Sequence, residues 1–286
     1  MSVGRLPIVV CLVCAAVVGC GERVGPVSPP VRVVVGSYLV ADLVRQLAGD
    51  LADVRWAAES GQPYERFVPD ASFNHVLHEA ELVIVGSAEE TWATALVDPA
   101  FQPDRFIYLE RLLGGDDGAS GGALWLNPRV ALAAVEQLTS RLVARRPTES
   151  SALRVRLQQL RERLEVLAGE AASIPGNGRV VLGFDRRFDP LLGICGFTSV
   201  VVPVDPAAPR DADFRAVRAA MAQHGATGLV LNADLPPASA EEWSRCTGLR
   251  VVMLEALGKP AGGGYESTMR ANLRQLRKLA LPTSTP

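Results

Sequence analysis

Two carboxylates, Asp185 and Glu255, each follow an apolar run, Arg179 to Gly183 and Leu249 to Leu254. Such a pair can supply general acid and base catalysis to a glycoside, but no sugar-site pattern accompanies these two. His75 and His78 stand three residues apart on one side of an expected helix. That spacing suits zinc only when further ligands arrive from elsewhere, so they read as surface histidines. Ser37, Asp185 and a histidine have no sequence context that would assemble a triad. The chain has no Gly-x-Ser-x-Gly elbow, no Walker loop and no His-Glu-x-x-His. Gly262-Gly263-Gly264 reads as a connector before the last helix. These residue types point to binding rather than catalysis, and the chain is expected not to be an enzyme.

Short apolar strands alternating with amphipathic stretches must position these groups. Strands are predicted at 31–35, 51–58, 82–86, 105–109, 179–183, 199–202, 228–231 and 249–254. Their nearly continuous Val and Leu character suits parallel sheets covered on both faces. Helices are predicted at 39–47, 89–96, 129–143, 187–192, 211–224, 238–246 and 265–279. Ser72 is expected to cap a further helix ending at Glu79. Leu153, Leu157, Leu160, Leu164 and Leu167 recur at helical spacing. They define a helix of about 25 residues, nearly 40 Å at about 1.5 Å per residue, with Gly169 weakening its last turns. The expected fold is α/β: two lobes, each a mostly parallel sheet flanked by helices, joined by one long rigid helix. Ligands of such sheets lie beyond the carboxyl ends of the strands.

The 286 residues suffice for two moderate domains, and 29 Lys plus Arg nearly balance 31 Asp plus Glu. That balance argues against a nucleic-acid partner. Leu6 to Val18 is apolar after a lone Arg5 and is too short to span a bilayer, which takes about 20 residues. The run closes in Ala16-Val17-Val18-Gly19-Cys20, which resembles the lipobox of bacterial lipoproteins. There, small residues admit the peptidase and the cysteine thiol forms the thioether. The resemblance implies a cell-envelope protein, extracytoplasmic and lipid-anchored at Cys20. The proline-rich stretch after it reads as a tether. Cys195 and Cys246 are either a disulfide or two separate thiols. The divisions are a signal peptide at 1–19, a tether at 20–30, lobes at 31–146 and 175–286, and a linking helix at 147–174.

Val33-Val34-Val35-Gly36-Ser37-Tyr38-Leu39-Val40, Pro63-Tyr64-Glu65-Arg66-Phe67, Trp125-Leu126-Asn127-Pro128, Gly183-Phe184-Asp185 and Leu254-Glu255-Ala256-Leu257-Gly258 occur in that order. Together they resemble the metal-binding lipoproteins of zinc- and manganese-type ABC transporters. The resemblance implies capture of a solute, delivery to an ABC permease and a monomeric chain. It also implies three histidines and a carboxylate as metal ligands. The histidine positions hold Tyr64, Ala123 and Phe184 here, and only Glu255 keeps a ligand-like type. Zinc takes about four N, O or S donors, so zinc or manganese is disfavoured. The expected cleft lining is Tyr64, Glu65, Trp125, Asn127, Phe184, Asp185 and Glu255, with a small molecule or ion as solute. Arg66 and Arg186 beside the changed positions suit an anionic solute, and Phe67 a planar one. A class-distinct alternative is a lipid-anchored scaffold or interaction protein whose cleft is unused.

Overall fold

A computed structural model of the chain describes residues 28–58, 67–86, 90–94, 103–113 and 122–281. Cys20, most of the tether, Tyr64, Glu65 and Arg66 lie outside the described residues.

The first lobe opens with β1 (Val31–Ser37), α1 (Tyr38–Ala48) and β2 (Ala52–Ala58). It continues through α2 (Ala71–Glu79), β3 (Leu82–Val85), α3 (Thr91–Thr94) and β4 (Phe106–Tyr108). These strands form a parallel sheet in the order β2-β1-β3-β4. α4 (Pro128–Arg145) and α5 (Ser150–Ala172) lead into the second lobe. That lobe holds β5 (Val180–Gly183), α6 (Asp189–Ile194), β6 (Thr198–Val201) and α7 (Asp211–His224). β7 (Gly228–Asn232), α8 (Pro237–Thr247), β8 (Arg250–Leu254) and α9 (Gly264–Ala280) complete it. Its parallel sheet has the order β6-β5-β7-β8, so each lobe repeats one topology.

The central strands are apolar because helices cover both of their faces: Val33, Val35, Leu82, Val181 and Leu229 are wholly buried. One core cluster runs through α1, α4, α5 and α9 and joins the lobes without a break. Smaller clusters fill the outer faces, around Trp92 in the first lobe and Trp243 in the second.

The expected elements are present, with shifts at their ends. The cap of α2 is Asp70, whose Oδ1 accepts from Phe73 N at 2.7 Å. Ser72 lies inside the helix, because a carboxylate at the first non-helical position reaches the orphan amides as well as a hydroxyl does. α5 runs through Gly169 to Ala172. Buried Leu167 and Ala171 on either side hold those turns against the core, and that packing outweighs glycine's poor propensity. Cys195 and Cys246 are free. Burial pushes the Cys195 thiol up to about 12.

Candidate functional site

The carboxyl ends of the two sheets face each other, and the loops beyond them meet in a seam. On the first lobe, β1 ends at buried Ser37, whose Oγ accepts from Val40 N at 3.3 Å and so starts α1. Leu39 N then donates across the seam to Leu257 O at 3.1 Å. Gly258 has φ +71° and lies so close to Leu39 that a Cβ there would overlap that side chain. Only glycine meets both demands.

A second set of contacts comes from the segment before α4. Trp125 is 1% exposed, and its Nε1 donates to Ala256 O at 2.7 Å. The Tyr265 hydroxyl, on the first turn of α9, donates to Trp125 O at 2.7 Å. Tyr265 is completely buried, which pushes its phenol well above the ordinary tyrosine range. Gly122 packs on the Arg186 carbonyl with no room for a Cβ, and Ala123 N donates to Arg187 O at 2.9 Å. The segment from 122 to 125 therefore lies directly on two loops of the second lobe.

The residues expected to line a cleft separate into distinct environments. Trp125 stands in the seam as a buried hydrogen-bonding wedge. Asn127 is the cap of α4, its Oδ1 accepting from Arg129 N at 3.0 Å. Phe184 turns into the second lobe and packs on Trp243 with ring centroids 4.7 Å apart. Phe67 belongs to an aromatic group with Phe73 and Trp92 in the first lobe, so it does not join Phe184 in one pocket. Asp185 is exposed; one oxygen accepts from Arg187 N at 2.8 Å and the other lies 3.7 Å from the Arg187 guanidinium.

Glu255 is half-buried and shapes its own loop. Its Oε1 accepts from Leu257 N at 2.9 Å and Gly258 N at 3.1 Å. Asn272 on α9 clamps the same residue's backbone, accepting from Glu255 N at 2.9 Å and donating to Glu255 O at 2.8 Å. The carboxylate thus folds the turn that touches Leu39 and Trp125. His75 and His78 are exposed on α2, His75 lying 3.6 Å from Glu79.

Two polar features that hold these loops and helices escaped the sequence reading. Glu90 is 3% exposed, with Oε1 accepting from Gly86 N at 2.9 Å and Oε2 from Trp92 Nε1 at 3.1 Å. It lies beside Gly36 and Gly86 at the carboxyl ends of β1 and β3. A glycine closing an apolar strand four residues before an acid was its available signal. The other feature is a polar strap on α1, α5 and α9. Asp42 Oδ2 accepts from Tyr265 N and from Gln46 Nε2. Arg163 donates to Gln46 Oε1 and Glu266 Oε1, each at 2.7 Å. Its members are distant in sequence, and helical periodicity alone does not pair them.

The described residues of the seam do not supply the donor set of an ordinary zinc or manganese site. Ala123 and Phe184 have no donor atoms, and Glu255 already serves two backbone amides. Among the described residues no group of three or more His, Cys, Asp or Glu could hold a metal ion. No described helix is long and apolar enough to cross a membrane.

The sequence profile of the family described as "ZnuA: Zinc-uptake complex component A periplasmic" matches residues 33–279. Solved structures share the fold. The solute-binding protein FpvC of Pseudomonas aeruginosa, in complex with Mn2+, is 18% identical, covers 88% of this chain and 98% of its own, and has a TM-score of 0.71. The Zn(II)-bound ZnuA-like domain of Streptococcus pneumoniae AdcA is 20% identical over 88% of this chain and 99% of that one, with a TM-score of 0.72. The periplasmic zinc-binding protein TroA of Treponema pallidum is 15% identical over 88% and 100%, at 0.70. No curated protein matches the sequence.

Proposed function

We propose a function from one premise: the chain belongs to the family of zinc-uptake complex component A, periplasmic. It is an extracytoplasmic solute-binding protein of an ABC transporter, with an altered metal site and no catalytic role. We infer further that Cys20 carries the lipid anchor, that the chain acts as a monomer and that it hands its solute to a permease. The divisions at 1–19, 20–30, 31–146, 147–174 and 175–286 are part of the same reading.

The observation that carries it is the convergence of both lobes' ligand-end loops on one seam. In that seam Glu255 is the carboxylate that remains at a family ligand position. FpvC was solved with Mn2+ and AdcA with Zn(II), which makes those ions the first solutes to test. Tyr64, Ala123 and Phe184 stand where donors are needed, so a solute other than a transition metal is the better fit. Tyr64, Glu65, Asn127, Asp185 and Glu255 remain the proposed polar contacts, with Trp125 buried in the seam and Phe184 turned away toward Trp243.

The test is titration of zinc and manganese into metal-stripped protein, with Glu255→Ala alongside. No metal binding, followed by a thermal shift with an anionic or amino-acid solute, supports the altered site. Tight one-to-one metal binding abolished by Glu255→Ala overturns it. The Ala123–Arg187 and Gly122–Arg186 contacts favour a second reading, a closed cleft on a scaffold protein. A solute screen without any hit, together with no association with a permease, decides for that reading.

A further inference from the structure

The second lobe sorts its charges by end. Because its helices run antiparallel to its strands, the amino ends of β5 to β8 and the carboxyl ends of α7, α8 and α9 share one surface. That surface is far from the seam. Arg179, Arg218, Arg245, Arg250, Arg277 and Lys278 all stand on it. Three of them mark the geometry: Arg179 donates to Ala280 O, Arg250 to the carbonyls of Lys278 and Leu281, and Arg218 to Cys246 O. Residues 171–184, 190–204, 214–233, 243–254 and 267–281, which supply this end, contain no Asp or Glu. Glu170, late in α5, is paired with Arg270. Of the lobe's remaining acids, Asp185, Asp211 and Glu255 stand in loops or at a helix start toward the other end, and Glu241 and Glu242 lie midway along α8, one turn before Arg245.

Helix dipoles account for part of this, since cations favour helix carboxyl ends. They do not account for the lack of compensating acids. At the corresponding end of the first lobe, Arg32 is paired with Glu79, and Arg141 with Asp104. We propose that the far end of the second lobe is a docking surface for an anionic phospholipid bilayer.

A diffuse cationic surface suits a headgroup layer, which it meets through many weak contacts. Arg218, Arg245, Arg277 and Lys278 are exposed, and Leu281 beside them is 61% exposed, an apolar group able to enter the interface. Protein interfaces instead centre on buried aromatic anchors, and the exposed large hydrophobic residues of the described chain include no aromatic. α5 runs between the far ends of the two lobes, about 35 Å for its helical span. An anchor before β1 at one end and this surface at the other would lay the long axis along the membrane and leave the seam at its side.

The test is sedimentation of a chain beginning at residue 21, which carries every described element, with lipid vesicles. One set is phosphatidylcholine alone, and the other contains about one-third phosphatidylglycerol, the anionic component the surface requires. Binding to the anionic vesicles alone is expected, falling steeply as salt shortens the screening length. Arg245→Glu/Arg277→Glu/Lys278→Glu is expected to weaken it by about tenfold or more, while Arg55→Glu/Arg154→Glu leaves it unchanged. Equal binding to neutral vesicles, or a salt-insensitive interaction of the wild-type chain, overturns the proposal even where the triple variant fails to fold. Binding to poly-glutamate with none to anionic vesicles also overturns it, in favour of an acidic protein partner. The result is independent of the solute, so the transport reading stands or falls separately.

Discussion

Each lobe has a glutamate in a loop beyond its sheet, and the two carboxylates are held differently. Glu90 is almost completely buried and accepts from a backbone amide and an indole of its own lobe. Glu255 is half-buried and accepts from two amides of the turn that reaches the other lobe. The first joins a strand end to an aromatic cluster. The second sets the shape of a turn that presents the carbonyls of Ala256 and Leu257 to Trp125 and Leu39. Burial of the carboxylate decides the consequence of losing either one: where the lost side chain was enclosed its donors keep their desolvation cost, whereas a half-exposed one leaves a place that water can reach.

Substitutions can break or sharpen that comparison. Trp125→Ala is expected to have the largest effect, about 3–5 kcal/mol in urea unfolding, because it opens a cavity in the seam and strands the Ala256 carbonyl. A loss below 1 kcal/mol would mean that the lobes are held together elsewhere, as by the strap of Asp42 and Arg163. Glu90→Ala leaves the Gly86 amide and the Trp92 indole without their acceptor and should cost about 2–3 kcal/mol. Glu255→Ala should cost less, about 1–2 kcal/mol: the amides of buried Leu257 and Gly258 lose their acceptor, but the half-exposed side chain they bond to leaves a place that water can enter. Equal losses at the two glutamates would erase the distinction.

Tyr265→Phe removes one hydrogen bond across the seam, worth about 1 kcal/mol, and changes the response to alkali. Folded Tyr265 retains its proton above the ordinary tyrosine range. The unfolded chain releases it near pH of about 10. Above that pH the folded form binds more protons, so stability falls as pH rises. Denaturant unfolding at rising pH should therefore show a shallower alkaline loss in Tyr265→Phe than in the wild type. The smallest effect is expected at Gly169→Ala. A Cβ there meets nothing within 4 Å, and the linking helix should gain up to about 1 kcal/mol.

The alternation of apolar strands with amphipathic helices specified both lobes and the linking helix, because periodicity records which face each element buries. The substitutions proposed at Tyr64, Ala123 and Phe184 rest on the resemblance, with residue type alone deciding whether a donor exists there. Element ends were less evident: Asp70 and Ser72 both suit a cap, and only the chain's path chose between them. Contacts between distant segments were the part that the sequence could not supply. Tertiary structure decided that Trp125 is a buried wedge instead of a cleft wall, that Phe184 turns toward Trp243, and that Asp42 receives the Tyr265 amide at the start of α9. The first and last depend on how the two sheets approach each other, which is set by packing across the whole seam, and the second on packing inside the second lobe. No local pattern of residues encodes it.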